Sequence, residues 1–168
     1  MSEAPPTASL GNDLLVVDVQ IELSEDEPEE PPSSQQLSQW ANAAYARVAR
    51  ESAELALRIT SAEEMAELNS DYRGKSGPTN VLSFPVDSTD LPPELAASLL
   101  GDIVICHPVV VSEATEQTKS VQDHYAHMVT HGVLHLCGYD HVEEEPAQRM
   151  EQLEIDILGQ QGISNPYA

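Results

Sequence analysis

Apolar and polar residues alternate over residues 14–23, with Val17, Val19, Ile21 and Leu23 on one side and Asp18, Gln20 and Glu22 on the other. That is the period of a half-buried strand. The period changes to three and four over 34–52, where Leu37, Trp40, Ala41, Ala44, Tyr45 and Val48 form one stripe of a helix. Trp40 therefore reads as core rather than as a platform for a nucleic-acid base. A second strand is predicted over 55–60. Ser61 with Glu64 is a capping box opening a helix that runs to about residue 70. A short strand follows over 81–84, then a short helix over 92–100, an apolar strand over 101–106 and a long helix over 110–137. Residues 144–158 form a last amphipathic helix. Strands interspersed with helices, without strict alternation, predict an α/β (mixed α+β) layer fold around one small mixed sheet. Residues 1–13 read as a flexible N-terminal segment and 14–168 as a single domain.

The strongest chemical pattern is HGVLHLCGYDH at 131–141, which holds three of the chain's six histidines. On a helix, His131 and His135 stand one turn apart on the same face and can converge on one ion. Gly138 can adopt positive φ, end the helix and turn the chain so that His141 reaches the same point. Three neutral nitrogens leave a tetrahedral zinc one position for water, the arrangement of catalytic zinc. His135 also lies in the last helical turn, where the dipole favours a cation. Cys137 competes poorly as a ligand because it points to another face. His124, His127, His131 and His135 recur at steps of three, four and four. The first two read either as partners of the metal ligands or a proton carrier, or as buried histidines with ordinary hydrogen bonds. Asp140 is a candidate to orient a ligand imidazole or to cap the turn.

The zinc-peptidase pattern H-E-x-x-H-x-x-G-x-x-H shares the three histidines and the glycine. Its general-base glutamate is replaced by Gly132, which disfavours peptide hydrolysis and leaves another electrophile as the target. A second segment, NSDYRGKSGPTNVLSFP at 69–85, puts two of only seven basic residues together in what its Gly and Pro content predicts to be a loop. Arg73 and Lys75 are the natural local anchors for a phosphate, Arg73 through two donors.

These two motifs, with LGDIVIC at 100–106, resemble the YbeY family of bacterial and organellar rRNA maturation endoribonucleases over most of residues 53–167. The N-terminal third matches only in pattern. The resemblance implies a YbeY-like, zincin-related fold and a single-strand-specific endoribonuclease. It would act in 3′-end maturation of 16S rRNA and in ribosome quality control, with the small ribosomal subunit and its proteins as partners and no DNA. It further implies one Zn²⁺ per chain held by His131, His135 and His141, with Arg73 and His131 catalytic and Lys75 beside Arg73 at the substrate. A ribosome-assembly factor with a structural zinc is the other reading that the pattern allows. Ser76 stands where the family usually has an acidic residue, so whatever local salt bridge that acid makes is missing here.

Composition adds one tension. The chain has 168 residues, 40% of them hydrophobic, and a formal charge of -22. That charge opposes a polyanion at long range. Much of the acid lies in the run 25–30 and near 143–145, and a cleft holding zinc, Arg73 and Lys75 can be locally positive. No apolar run reaches the roughly 18 residues of a membrane span. The acidic N-terminal stretch does not read as a secretory signal. Cys106 and Cys137 are too few for a disulfide framework and fit reduced thiols in a cytoplasmic protein.

Overall fold

A computed structural model describes residues 13–86, 91–139 and 144–167. The described residues form strands β1 (Leu15–Ile21), β2 (Ala53–Thr60), β3 (Val81–Pro85) and β4 (Leu99–Cys106). They also form helices α1 (Ser34–Val48), α2 (Ala62–Arg73), α3 (Pro93–Ala97), α4 (His107–Glu116), α5 (Val121–Leu136) and α6 (Glu144–Gln160). The sheet has the order β1-β2-β4-β3, with β1, β2 and β4 parallel and β3 antiparallel at the edge. This is the mixed α/β single domain that the pattern predicts. The expected flexible segment lies outside the described residues except for Asp13, and Asp140 and His141 lie outside them as well.

Alternation decides which face of each strand is covered. Ala53, Leu55, Leu57 and Ile59 of β2 are buried, whereas Glu54 and Ala56 are exposed. Ile103 and Ile105 of β4 join the main core with residues of α1, α5 and α6. Val104 and Cys106, on the other side of β4, pack with Met65 of α2 and Leu82 of β3. The second half of β4 is thus apolar on both faces, which is why it reads as a continuous run. Trp40 is core, as expected. Asn42 pins the edge strand β1 to α1: its side-chain oxygen accepts from the Leu15 N–H at 2.8 Å and its amide donates to the Leu15 carbonyl at 3.0 Å.

The long helix expected over 110–137 is two helices. α4 stops at Glu116, Thr118 takes a left-handed φ of 58°, and the Lys119 N–H reaches back to the Ala114 carbonyl. Ser120 then caps α5, its hydroxyl accepting from the Asp123 N–H at 3.0 Å. No Gly or Pro marks the break, but residues 115–120 are all polar, a gap in the apolar pattern between Ala114 and Val121. The capping serine is a second readable sign. α2 also differs, running to Arg73 rather than to about residue 70. Ser61 caps it as expected, but the Glu64 carboxylate turns to Arg58, at 2.7 Å, and to the Thr60 hydroxyl.

Candidate active site

α5 is buried on nearly all sides from His124 to Leu134, so it sits centrally, and its His131 and His135 open onto a cleft. Its end is a Schellman turn. Gly138 has φ of 102°, its N–H bonds the His135 carbonyl at 3.0 Å, and the Tyr139 N–H bonds the Leu134 carbonyl at 3.1 Å. The expected positive φ at Gly138 is therefore present. The turn also brings the Tyr139 carbonyl to His135 Nδ1, at 3.0 Å. A carbonyl only accepts, so this Nδ1 carries the proton and the neutral ring bears its lone pair on Nε2.

His131 is fixed in the same sense from another side. Its Nδ1 lies 2.7 Å from Glu154 Oε2, on α6. The rings of His131 and His135 are stacked, with centroids 6.2 Å apart and planes 6° from parallel. Two parallel imidazoles, each with Nδ1 turned to an acceptor, are a donor pair suited to a divalent metal bound through Nε2. Among the described residues no group of three ligating side chains surrounds one point. The third expected ligand, His141, lies outside those residues.

Arg73 meets this pair. It is the last residue of α2, not a loop residue as expected, and Gly74 ends the helix behind it in the left-handed conformation, φ 66°. A cleft of about 340 Å³ is lined by Arg73, residues 79–83, His131 and His135. Segment 79–83 is held by Asn80, whose amide donates to Glu113 of α4 at 3.1 Å and whose oxygen accepts from the Val81 N–H at 2.7 Å. None of the cleft's described lining residues is acidic, in a chain with 29 Asp and Glu. Lys75 is exposed and is not among the lining residues.

The histidine stripe divides. His124 is buried and its Nε2 lies 2.8 Å from Glu113, so it supports the Asn80 tether and does not line the cleft. Burial holds its imidazole below the usual histidine range, against the Glu113 hydrogen bond. His127 shares Glu154 with His131, at 3.3 Å from Oε1. Glu154 is fully buried and accepts a further hydrogen bond from the Tyr167 hydroxyl. Burial opposes its ionisation, but the hydrogen bonds from His127, His131 and Tyr167 outweigh this and hold it below the usual carboxylate range. Burial pushes the Cys137 thiol up to about 11 and raises that of Cys106, so both are poor metal ligands.

Sequence reasoning missed Glu154 and Tyr167. A sign of the first was present: Met150, Leu153, Ile157 and Leu158 define the apolar face of α6, and Glu154 lies within it. A carboxylate on a buried face needs partners. Gly132 also has a second meaning. A β-carbon there would lie 2.8 Å from Ile103 Cδ1, so this position faces the sheet and has no room for a catalytic side chain.

A family model described as Endoribonuclease YbeY matches residues 20–162. An Endoribonuclease YbeY from Alteromonas mediterranea is 53% identical over 136 residues, covering 81% of this chain and 84% of that relative. One from Chromohalobacter salexigens is 50% identical over 138 residues, covering 82% and 88%. The solution structure of TM1509 from Thermotoga maritima matches with a TM-score of 0.55 at 23% identity, over 88% of this chain and 92% of that one, a similarity of fold.

Proposed function

The chain belongs to the YbeY endoribonuclease family, and from this premise we propose that it is a zinc-dependent, single-strand-specific endoribonuclease. Its setting is the cytoplasm and its substrate the 16S rRNA precursor, cleaved in 3′-end maturation and in quality control of the small ribosomal subunit. No helix of the described residues is long and apolar enough to cross a membrane. The observation that carries the reading is the cleft lining, with one guanidinium, two imidazoles and no described carboxylate. This local sign suits a phosphodiester despite the net charge of -22. Repulsion from the rest of the surface slows encounter with RNA and weakens as salt screens it.

His131 and His135, with His141, would hold one zinc ion, which supplies Lewis-acid polarisation of a phosphoryl oxygen and a lowered pKa for bound water. The protein's own contribution is positional. Arg73 offers a rigid fork to the scissile phosphate and neutralises the charge that develops on it. Gly74 and the Asn80 tether hold the two ends of the connection from α2 to β3, which faces the helix bearing the imidazoles. With Nδ1 of both rings turned to acceptors, Nε2 is the nitrogen each ring offers to a metal. Lys75 lies outside the lining and serves as a second, exposed phosphate anchor for flanking nucleotides. The absence of a side chain at position 132 argues against a peptidase.

The test is cleavage of a single-stranded RNA carrying the 3′ flank of small-subunit rRNA, by the wild type and by Arg73→Ala at matched metal content. Cleavage lost only in the variant is the expected result. No cleavage by either protein, with zinc bound, would shift the reading to a ribosome-assembly factor with structural zinc.

A further inference from the structure

Glu154 is completely buried, and three groups lie within hydrogen-bond distance of its carboxylate: His131 Nδ1 at 2.7 Å, His127 Nε2 at 3.3 Å and the Tyr167 hydroxyl. An ionised carboxylate only accepts, so the three partners must present N–H, N–H and O–H. This assigns opposite tautomers to the two histidines, with the proton on Nδ1 in His131 and on Nε2 in His127. His127 Nδ1 is buried without a hydrogen-bond partner among the described residues, as a ring committed to Glu154 through its other nitrogen can be. Tyr167 stands ten residues beyond Ile157 in the tail after α6, and its ring meets that of His127 edge-on at 5.4 Å.

We propose that Glu154 is the positioning residue that fixes the tautomer and orientation of His131, and that His127 and the tail residue Tyr167 hold its carboxylate in place. The proposal rests on the metal reading above only for its functional consequence. An acceptor on Nδ1 keeps the lone pair of His131 on Nε2 and raises its basicity, and loss of such a partner typically costs 10–100-fold in metal affinity. A merely structural tie between α5 and α6 would leave the tautomer indifferent.

The experiment uses the full chain with ¹⁵N-labelled histidine, comparing wild type, Glu154→Leu, Glu154→Gln and Tyr167→Phe. Long-range proton–nitrogen correlation reads the His131 tautomer without metal, and competition with a chromophoric chelator reads zinc affinity. Wild type should show the Nδ1–H form. Glu154→Leu should show a tautomer mixture and a roughly 10–100-fold loss of zinc affinity. Glu154→Gln, whose amide oxygen still accepts, should recover part of both, and Tyr167→Phe should lose a smaller part. Unchanged tautomer and affinity in Glu154→Leu would overturn the proposal. If that variant does not fold, Tyr167→Phe decides, and wild-type values in it would count against the proposal. A wild type that binds no zinc would overturn the metal reading, while the tautomer comparison would still judge Glu154.

Discussion

Gly132 and Ile103 meet where α5 crosses β4, close enough that a β-carbon on the glycine would lie 2.8 Å from Ile103 Cδ1 and 3.2 Å from Cγ1. The helix that carries both imidazoles therefore rests directly on the sheet one residue after His131. Gly132→Ala gains roughly 1 kcal/mol of helix propensity but overpacks a fully buried contact, at about 1–3 kcal/mol. The expected net is a destabilisation of about 1 kcal/mol, measured by urea unfolding. Ile103→Val removes the offending methyl, so the double variant should be more stable than the sum of the single changes. Strict additivity would show that the contact is not close.

Arg73 is exposed and ends its helix, so Arg73→Ala should leave stability within about 0.5 kcal/mol. Turnover on single-stranded RNA should fall by about 10²–10³. Arg73→Lys should recover only a fraction, because a point charge does not reproduce the two-donor grip. Equal activity of the Lys variant and the wild type would reduce the role of Arg73 to simple charge.

His135 makes its Nδ1 bond to the Tyr139 carbonyl within its own turn and stacks its ring on that of His131. His135→Ala should lose bound zinc, seen by elemental analysis, together with RNA cleavage. A chelator should do the same to the wild type, and added zinc should restore the wild type alone. Cleavage by metal-free protein would contradict the assignment.

His124 ties stability to pH. Burial keeps its folded-state pKa below the ordinary value, with Glu113 opposing and Lys119 and His127 assisting. In the unfolded chain it titrates near 6.5. Between that value and the lower folded one, the unfolded state binds the extra proton, so stability falls as pH drops through about 6.5 and its slope fades below the folded pKa. Urea unfolding of His124→Gln beside the wild type should show a shallower slope in this window. Identical slopes would rule His124 out as the source.

Thr118 holds a left-handed conformation that a β-branched residue adopts reluctantly. Thr118→Gly should stabilise the protein by roughly 1 kcal/mol, read as a rise in Tm. A fall would mean that the threonine side chain contributes contacts outweighing the strain.

Much of this architecture is legible in the residues. Alternation gives β1 and β2, and the 3.6-residue stripe places Trp40 and Tyr45 in the core, because burial of one face acts locally and repeatedly along the chain. The pairing of His131 with His135 and the stop at Gly138 follow from helix geometry alone. What escapes the sequence depends on contacts distant in the chain. The Glu113 bond to Asn80 spans 33 residues, the Glu154 bond to His131 spans 23, and no period records either. The break between α4 and α5 carries no Gly or Pro; its signs are the all-polar run over 115–120 and the capping Ser120. Arg73 falls on the helix rather than the loop because the Gly and Pro content of 69–85 marks a helix end without fixing which residue is last.

The Schellman turn has one more consequence. Its bonds are counted from His135, through the His135 and Leu134 carbonyls, and each residue added to a helix turns the chain by about 100°. An insertion or deletion between His135 and Gly138 would therefore swing everything downstream, position 141 included, around the helix axis. Replacing Leu136 or Cys137 would change only what the turn packs against. The distance in sequence between the second histidine and the glycine is thus a ruler, and the motif should tolerate new letters inside it far more readily than a new length.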